Sequence, residues 1–424
     1  MKKNSFIIRL LLILILSVVS ATILMIGVYA LPVEPMIENL SESQRVFSEE
    51  EIFKKVFKWC SSTLDNYTEA MILQNATYDG DEDLVEKALL NYRYTAVNPY
   101  MALKASFAGV KKNVTSYGRY WHGYLVYVKP MLLVFNYEII RMINTLGIIS
   151  ISLYLIYIMY NNGLKKYIIP FVLTYLLLNP MVSFYLLDYS DLIYIFVIAS
   201  VITIKKKNIW DDSKFITMFF IIGIVVAFTN FLTYPIVSVG VPLTFYFILD
   251  NERVMKKIIT KLFMFTFAWG IGYLGMWGSK WVVASIFTKE NILLNAIKQV
   301  LLRVSSTSEI TGEKISVLDV YGRVFKNYFI NPIALGLIVV IFICVKVIIK
   351  NKLWKNKINI IIPYIFILLL PIGWYFVAFG HSFDHYLFTY KGLMVFAFSL
   401  LCMLIKMIES DMEIEEKNKK VKNI

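Results

Sequence analysis

Hydrophobic residues fall along this chain in long unbroken runs separated by short basic connections, a pattern of membrane helices rather than of amphipathic stripes or alternating strands. The first run, 6–30, follows Lys2 and Lys3 and contains Arg9. It is longer than the apolar core of a signal peptide, so it reads as an uncleaved first helix with its N-terminus in the cytoplasm. Later runs predict helices at 142–160, 167–187, 192–204, 215–232, 236–249, 263–287, 333–349, 358–380 and 392–408. With the first, these make about ten spans. The runs at 192–204 and 236–249 are short for a membrane, which implies tilt or a local cavity.

Charge sorts the connections by side. Lys165 and Lys166, Lys205 to Lys207, Arg253, Lys256, Lys257 and Lys261, then Lys350, Lys352, Lys355 and Lys357 fall in every second connection, and the tail carries Lys417, Lys419, Lys420 and Lys422. This unbroken alternation predicts an even number of spans with both termini cytoplasmic. The chain then divides into a first helix (1–31), an extracytoplasmic loop (32–130), a transmembrane bundle (131–408) and a basic cytoplasmic tail (409–424). A second outer loop covers 289–331. Within the first loop, Ile52, Val56, Phe57, Leu64, Ala70 and Met71 suit one or two amphipathic helices lying on the membrane surface. The acidic run at 79–83 lacks the spacing of a calcium loop and reads as a solvated turn.

Composition agrees with the pattern: of 424 residues 58% are hydrophobic, 16% aromatic and 17% charged, and the mean hydropathy is +0.63. So much apolar surface excludes a soluble core. The net charge of +13 comes from clusters between apolar runs and not from one basic face, which excludes nucleic acid as a partner. The cysteines, Cys60, Cys344 and Cys402, lie far apart and form neither a disulfide framework nor a metal-ligand spacing.

Chemically capable residues gather on the predicted outer side. All three histidines do so, with Asp65, Glu69, Asp188, Asp191, Arg119, Arg303 and Asp384. The segment 116–130, SYGRYWHGYLVYVKP, sets Arg119, Trp121, His122 and Lys129 among tyrosines at a membrane boundary. The plain reading is an anchoring belt; the functional one is a pocket for an anionic headgroup or a sugar. Ions inside or at the ends of apolar runs are harder to explain as loop chemistry, because each costs about 2.5–3.5 kcal/mol in the membrane centre unless paired or hydrated. They are Glu138 and Arg141, three apart and suited to a helical pair; Asp188 and Asp191; and Lys280, which either snorkels or meets a lipid phosphate. The segment 379–392 carries His381, Asp384 and His385, whose spacing without a third ligand argues against zinc. The sequence assigns no cofactor, and a divalent cation stays open.

The topology, the acid-bearing first loop (LDNYTEAMIL) and the segments SYGRYWHGYLVYVKP, FTNFLTYPIVSVGVPL, GYLGMWGSKW and HSFDHYLFTYKG resemble the C-type glycosyltransferase superfamily of polytopic enzymes. The resemblance implies transfer of a sugar from a polyprenyl-phosphate donor to a glycan, lipid or protein acceptor at the outer leaflet of a bacterial plasma membrane, with inversion. It implies Asp65 as the base, with Glu69 one turn away as the alternative. Arg119, His122 and Lys280 would serve the phosphate, His385 and Tyr390 the sugar or phosphate, with Trp121 also binding substrate and the prenyl tail near Pro235. The superfamily usually places its acid soon after the first helix, whereas Asp65 and Glu69 come over thirty residues later. Competing classes are a polysaccharide polymerase or ligase, which would carry its longest loop late, and a transporter or flippase, which would show internal repeats. A receptor or scaffold is the non-catalytic alternative.

Overall fold

A computed structural model describes residues 2–111, 113–354 and 357–422, with side chains described from Ser5 to Ser410. The chain is all-α apart from one two-stranded ribbon, and among the described residues eight helices are long and apolar enough to cross a membrane. It is a multi-pass membrane protein. Helix α1 (Lys2–Tyr29) leads into a lobe made of α2 (Glu34–Glu42), α3 (Gln44–Glu49), α4 (Asn66–Ala76), α5 (Leu84–Leu90), α6 (Pro99–Phe107) and α7 (Leu125–Leu132). Its ribbon pairs β1 (Arg93–Tyr94) with β2 (Val114–Thr115).

The bundle follows with α8 (Tyr137–Asn161), α9 (Lys165–Leu176), the single turn α10 (Pro180–Ser183), α11 (Leu187–Lys206), α12 (Asp212–Thr229), α13 (Val237–Leu249) and α14 (Met255–Phe287). A second polar insertion holds α15 (Ile292–Val304) and α16 (Val317–Phe329). Then come α17 (Ile333–Lys350), α18 (Ile358–Val377), the short α19 (Phe379–Asp384) and α20 (Tyr386–Thr389), and α21 (Leu393–Lys422).

Three expectations change. The run 167–187 is not one helix: α9 stops before Asn179, which takes a left-handed φ of +58°, and Pro180 starts α10. Asn tolerates that conformation and the residue before proline disfavours the helical one, so the chain breaks although its apolar character continues. The run at 192–204 starts five residues earlier, which draws Asp188 and Asp191 into the first turns of α11. The expected surface helices of the first loop are absent: residues 53–64 are turns closed by a Lys55–Thr63 bridge, and α4 is buried along all but one of its 11 residues. The short α13 is buried from Val237 to Ile248. Neighbouring helices screen it from lipid, so its 13 residues need not match the bilayer thickness alone.

The two ends of the bundle differ in chemistry. At one end Asp250 holds Lys207 at 3.1 Å and Lys261 at 2.9 Å, and Tyr167 donates to Glu409 at 2.6 Å. The lobe packs on the other. Arg141, fully buried, reaches from α8 to Glu50 at 3.0 Å and to Asn66 Oδ1 at 3.0 Å; Glu138 is exposed, so the expected Glu138–Arg141 pair is replaced by one between lobe and bundle. Trp121 donates to Met276 O at 2.8 Å. Asn179 donates to Ser61 O at 3.0 Å. Helices α12 and α14 touch through facing glycines: a Cβ on Gly223 would collide with Trp269 O, and one on Gly272 with Phe220 O. Small residues allow such close backbone approach within a membrane.

Candidate functional site

Acidic groups from the lobe and the bundle meet at the start of α11. Asp65 caps α4, accepting from the Thr68 amide at 3.0 Å and the Thr68 hydroxyl at 2.9 Å. One turn on, Glu69 has no exposure; it accepts from the Tyr137 hydroxyl and, at 3.0 Å, from the Asp188 amide. A lobe carboxylate therefore sits on the amide-rich start of a membrane helix, where negative charge is favoured.

Asp188 itself is 4% exposed, and neither of its side-chain oxygens has a protein partner. Asp65, Glu69 and Asp191 act on it as like charges and Lys391 as the opposite one. Asp191 is instead well held, by Asn230 at 3.1 Å, Thr229 at 3.0 Å and the Leu192 amide at 2.7 Å. Lys391 is 1% exposed and lies 4.2 Å from the centre of the Tyr189 ring. Burial pushes the Asp65 carboxyl above its ordinary range, against the Thr68 hydrogen bonds and Lys391, which pull it down. Burial raises Glu69 as well, against the Arg141 guanidinium. A buried carboxylate with unused acceptors is rare enough to need a cause, and a site for a hydroxyl donor or an ordered water is the simplest.

Three arginines collect around a tyrosine pair. Arg93 and Arg119 lie 5.4 and 4.5 Å from the Tyr117 ring centre, and Arg303, 5.6 Å from the Tyr120 ring, donates to the Tyr120 hydroxyl. The two rings are 5.4 Å apart. All three Nε atoms lack a partner, and among the described residues none of these arginines forms an ion pair with a carboxylate. Such a set suits an anion with several oxygens. The link between arginines and acids is the stretch that joins α12 to α13: Asn230 holds Asp191, and the next residue, Phe231, packs on Tyr117, Tyr120, His122 and Tyr124.

A cavity of about 360 Å³ reaches Asp191 from the side of the bundle, lined by Tyr127, Thr229, Met131 and Tyr194 together with aliphatic residues of α8 and α11. Its walls are mostly apolar, with Asp191, Asn144, Thr229, Tyr127 and Tyr194 supplying polar groups, the form of a site for an amphipathic ligand.

The sequence-predicted residues separate into those at the site and those that hold it. Asp65 and Glu69 are in the acidic cluster and Arg119 is among the arginines. His122, by contrast, is 2% exposed, with φ +56°. Its Nε2 lies 2.9 Å from Tyr117 O, and its Nδ1 2.7 Å from the Tyr124 hydroxyl and 3.1 Å from Asn75 Nδ2. That network assigns the proton to Nε2, and burial holds the imidazole well below its usual pKa, so it is neutral and occupied. Lys280 is fully buried and donates to Leu89 O at 2.7 Å, fixing α5 rather than snorkelling or facing lipid phosphate. Trp121 and Tyr390 are buried and bonded to backbone oxygens, Tyr390 to Ser61 O at 3.1 Å. His385 stacks beside His381, ring centres 4.6 Å apart; burial and then Arg303 push it down to about 4. Asp384 accepts from Ser308 and the Glu309 amide. Among the described residues no group of His, Cys, Asp or Glu side chains is arranged to hold a metal ion.

The site members outside the expected set are Asp188, Asp191, Lys391, Arg93 and Arg303. Asp188 and Asp191 carried a signal, ions within apolar sequence. Lys391 carried a similar one, between Tyr390 and Gly392. Arg93 carried none. The chain matches no protein-family model, no curated protein and no solved structure.

Proposed function

We propose that the protein is a glycosyltransferase of a bacterial plasma membrane, moving a sugar from a polyprenyl-phosphate-linked donor to a glycan, lipid or protein acceptor at the outer leaflet. In this reading α9 and α13 are also embedded, giving ten membrane helices with both termini cytoplasmic and the lobe outside. The observation that carries the proposal is Asp188: a buried carboxylate with two free acceptor oxygens, facing the charge of Lys391 and one turn before Asp191, which lines the lateral cavity.

The chemistry follows from that placement. Asp188 accepts the proton of the acceptor hydroxyl as its oxygen attacks the anomeric carbon, and the bond to the donor phosphate breaks on the opposite face, with inversion. Negative charge grows on the departing phosphate oxygen, and Arg93, Arg119 and Arg303 are the groups able to stabilise it. Asp65 and Lys391 tune Asp188 through their charges, and Glu69 positions it through its amide. The test is sugar transfer in membrane vesicles supplied with radiolabelled polyprenyl-phosphate sugars. Asp188→Asn is expected to lower kcat at least 100-fold, the low end of a general base's contribution being about 10². Asp65→Asn is expected to shift the pH profile and retain turnover. Full activity in Asp188→Asn removes it as the base; loss only in Asp65→Asn returns that role to Asp65.

A further inference from the structure

A second cavity, of about 540 Å³, lies between α11 and α12 toward the basic end. Ile198, Ile202, Ile221 and Val225 form its apolar walls, Trp210 lies along it, and Arg9 and Lys214 stand among its lining residues. Its size is within the roughly 300–1,000 Å³ of small-molecule sites. Arg9 comes from α1 and donates through Nη2 to Ser213 Oγ at 3.0 Å and Thr217 Oγ1 at 3.1 Å, which fixes the guanidinium over the first turns of α12. Neither Arg9 nor Lys214 forms an ion pair with a carboxylate among the described residues. The acids closest in sequence are engaged: Asp211 accepts from the Lys214 amide at 3.0 Å, and Asp212 from the Tyr246 hydroxyl at 3.0 Å.

We infer that this groove binds one anionic glycerophospholipid of the leaflet at the basic end, its phosphate on Arg9 and Lys214 and an acyl chain along Ile198 and Ile221. Charge complementarity selects this occupant. A neutral hydrocarbon would use the walls but leave two cations unanswered, whereas a phosphodiester answers both at the depth where basic side chains meet headgroups. The site is at the opposite end of the bundle from the acidic cluster and does not depend on the proposed transfer reaction.

The test uses the full chain in lipid nanodiscs of phosphatidylcholine, into which phosphatidylglycerol with brominated acyl chains is titrated, with brominated phosphatidylcholine as the comparison. Bromine quenches nearby tryptophans, and the Trp210 share is the difference between wild type and Trp210→Phe. Trp210 quenching is expected to saturate at a lower mole fraction of the anionic lipid. Lys214→Gln and Arg9→Gln are each expected to raise that midpoint severalfold. Lys214 is exposed, so its substitution tests the site even if Arg9→Gln fails to fold. Equal quenching by both lipids, or an unchanged midpoint in Lys214→Gln, overturns the inference.

Discussion

Replacing Arg141 with methionine tests how the lobe is fixed over the bundle. The guanidinium is fully buried, bonded to both oxygens of Glu50 and to Asn66, and it lies 4.3 Å from the ring centres of both Tyr137 and Tyr185. Glu50 is nearly buried at 12% side-chain exposure. Removing one partner of such a pair leaves an uncompensated charge, at a cost of about 3–5 kcal/mol. At roughly 2–4 °C per kcal/mol in large domains, the melting temperature should fall on the order of 10 °C. The three buried free cysteines provide the assay: Cys60 sits in the lobe, Cys344 and Cys402 in the bundle. A thiol-reactive dye during heating should label Cys60 before Cys402 in the variant. A double-mutant cycle with Glu50→Gln should show coupling of about 1–3 kcal/mol, and one with Glu138→Gln no more than about 0.5 kcal/mol. Equal coupling in both cycles, or Cys60 labelling unchanged from wild type, would refute the account of lobe docking.

Two further outcomes are expected. Gly272→Leu should destabilise by about 1–3 kcal/mol because the added side chain meets the α12 backbone, while Gly270→Leu, whose Cβ would meet nothing within 4 Å, should be nearly neutral in the same melting assay. The pH dependence has a definite sign at His385, held down to about 4 in the folded chain against about 6.5 when unfolded. Between those values the unfolded chain binds a proton that the folded one does not, so stability is complete above about pH 6.5 and falls as the pH drops toward 4. The raised carboxyls of Asp65 and Glu69 act in the opposite sense, favouring the fold as pH falls. His385→Phe should therefore flatten the acid-side loss in melting curves, and parallel curves for variant and wild type would contradict the assignment.

What the sequence revealed was whatever depends on local pattern. Apolar length located most helices because it is a property of contiguous residues. Long-range pairing left no such trace. Arg141 has an acid three residues away in Glu138, yet its partner is Glu50, far earlier in the chain, because α8 emerges beneath the lobe. The same limit hid the break at Asn179 and the burial of α4: apolar continuity reports that a stretch avoids water, and neither its kinks nor what surrounds it.

Exposure and hydrogen bonding then reorder the candidates. Aromatic and cationic residues at a membrane boundary drew attention to the stretch around His122, but Trp121 and His122 have their polar atoms occupied, and an occupied group has little left for a ligand. Lys280 likewise fixes the lobe. Asp188 and the three arginines have capacity to spare, as does Nδ1 of His381. Asp65, the expected base, gives its oxygens to Thr68 and the start of α4, and Glu69 holds Tyr137 and the Asp188 amide. Glu69 therefore holds Asp188 in place, and Asp65 acts on it only as a neighbouring like charge. An unsatisfied buried carboxylate costs stability, and the lobe's ties to α8, α11 and α14 are what keep it in position.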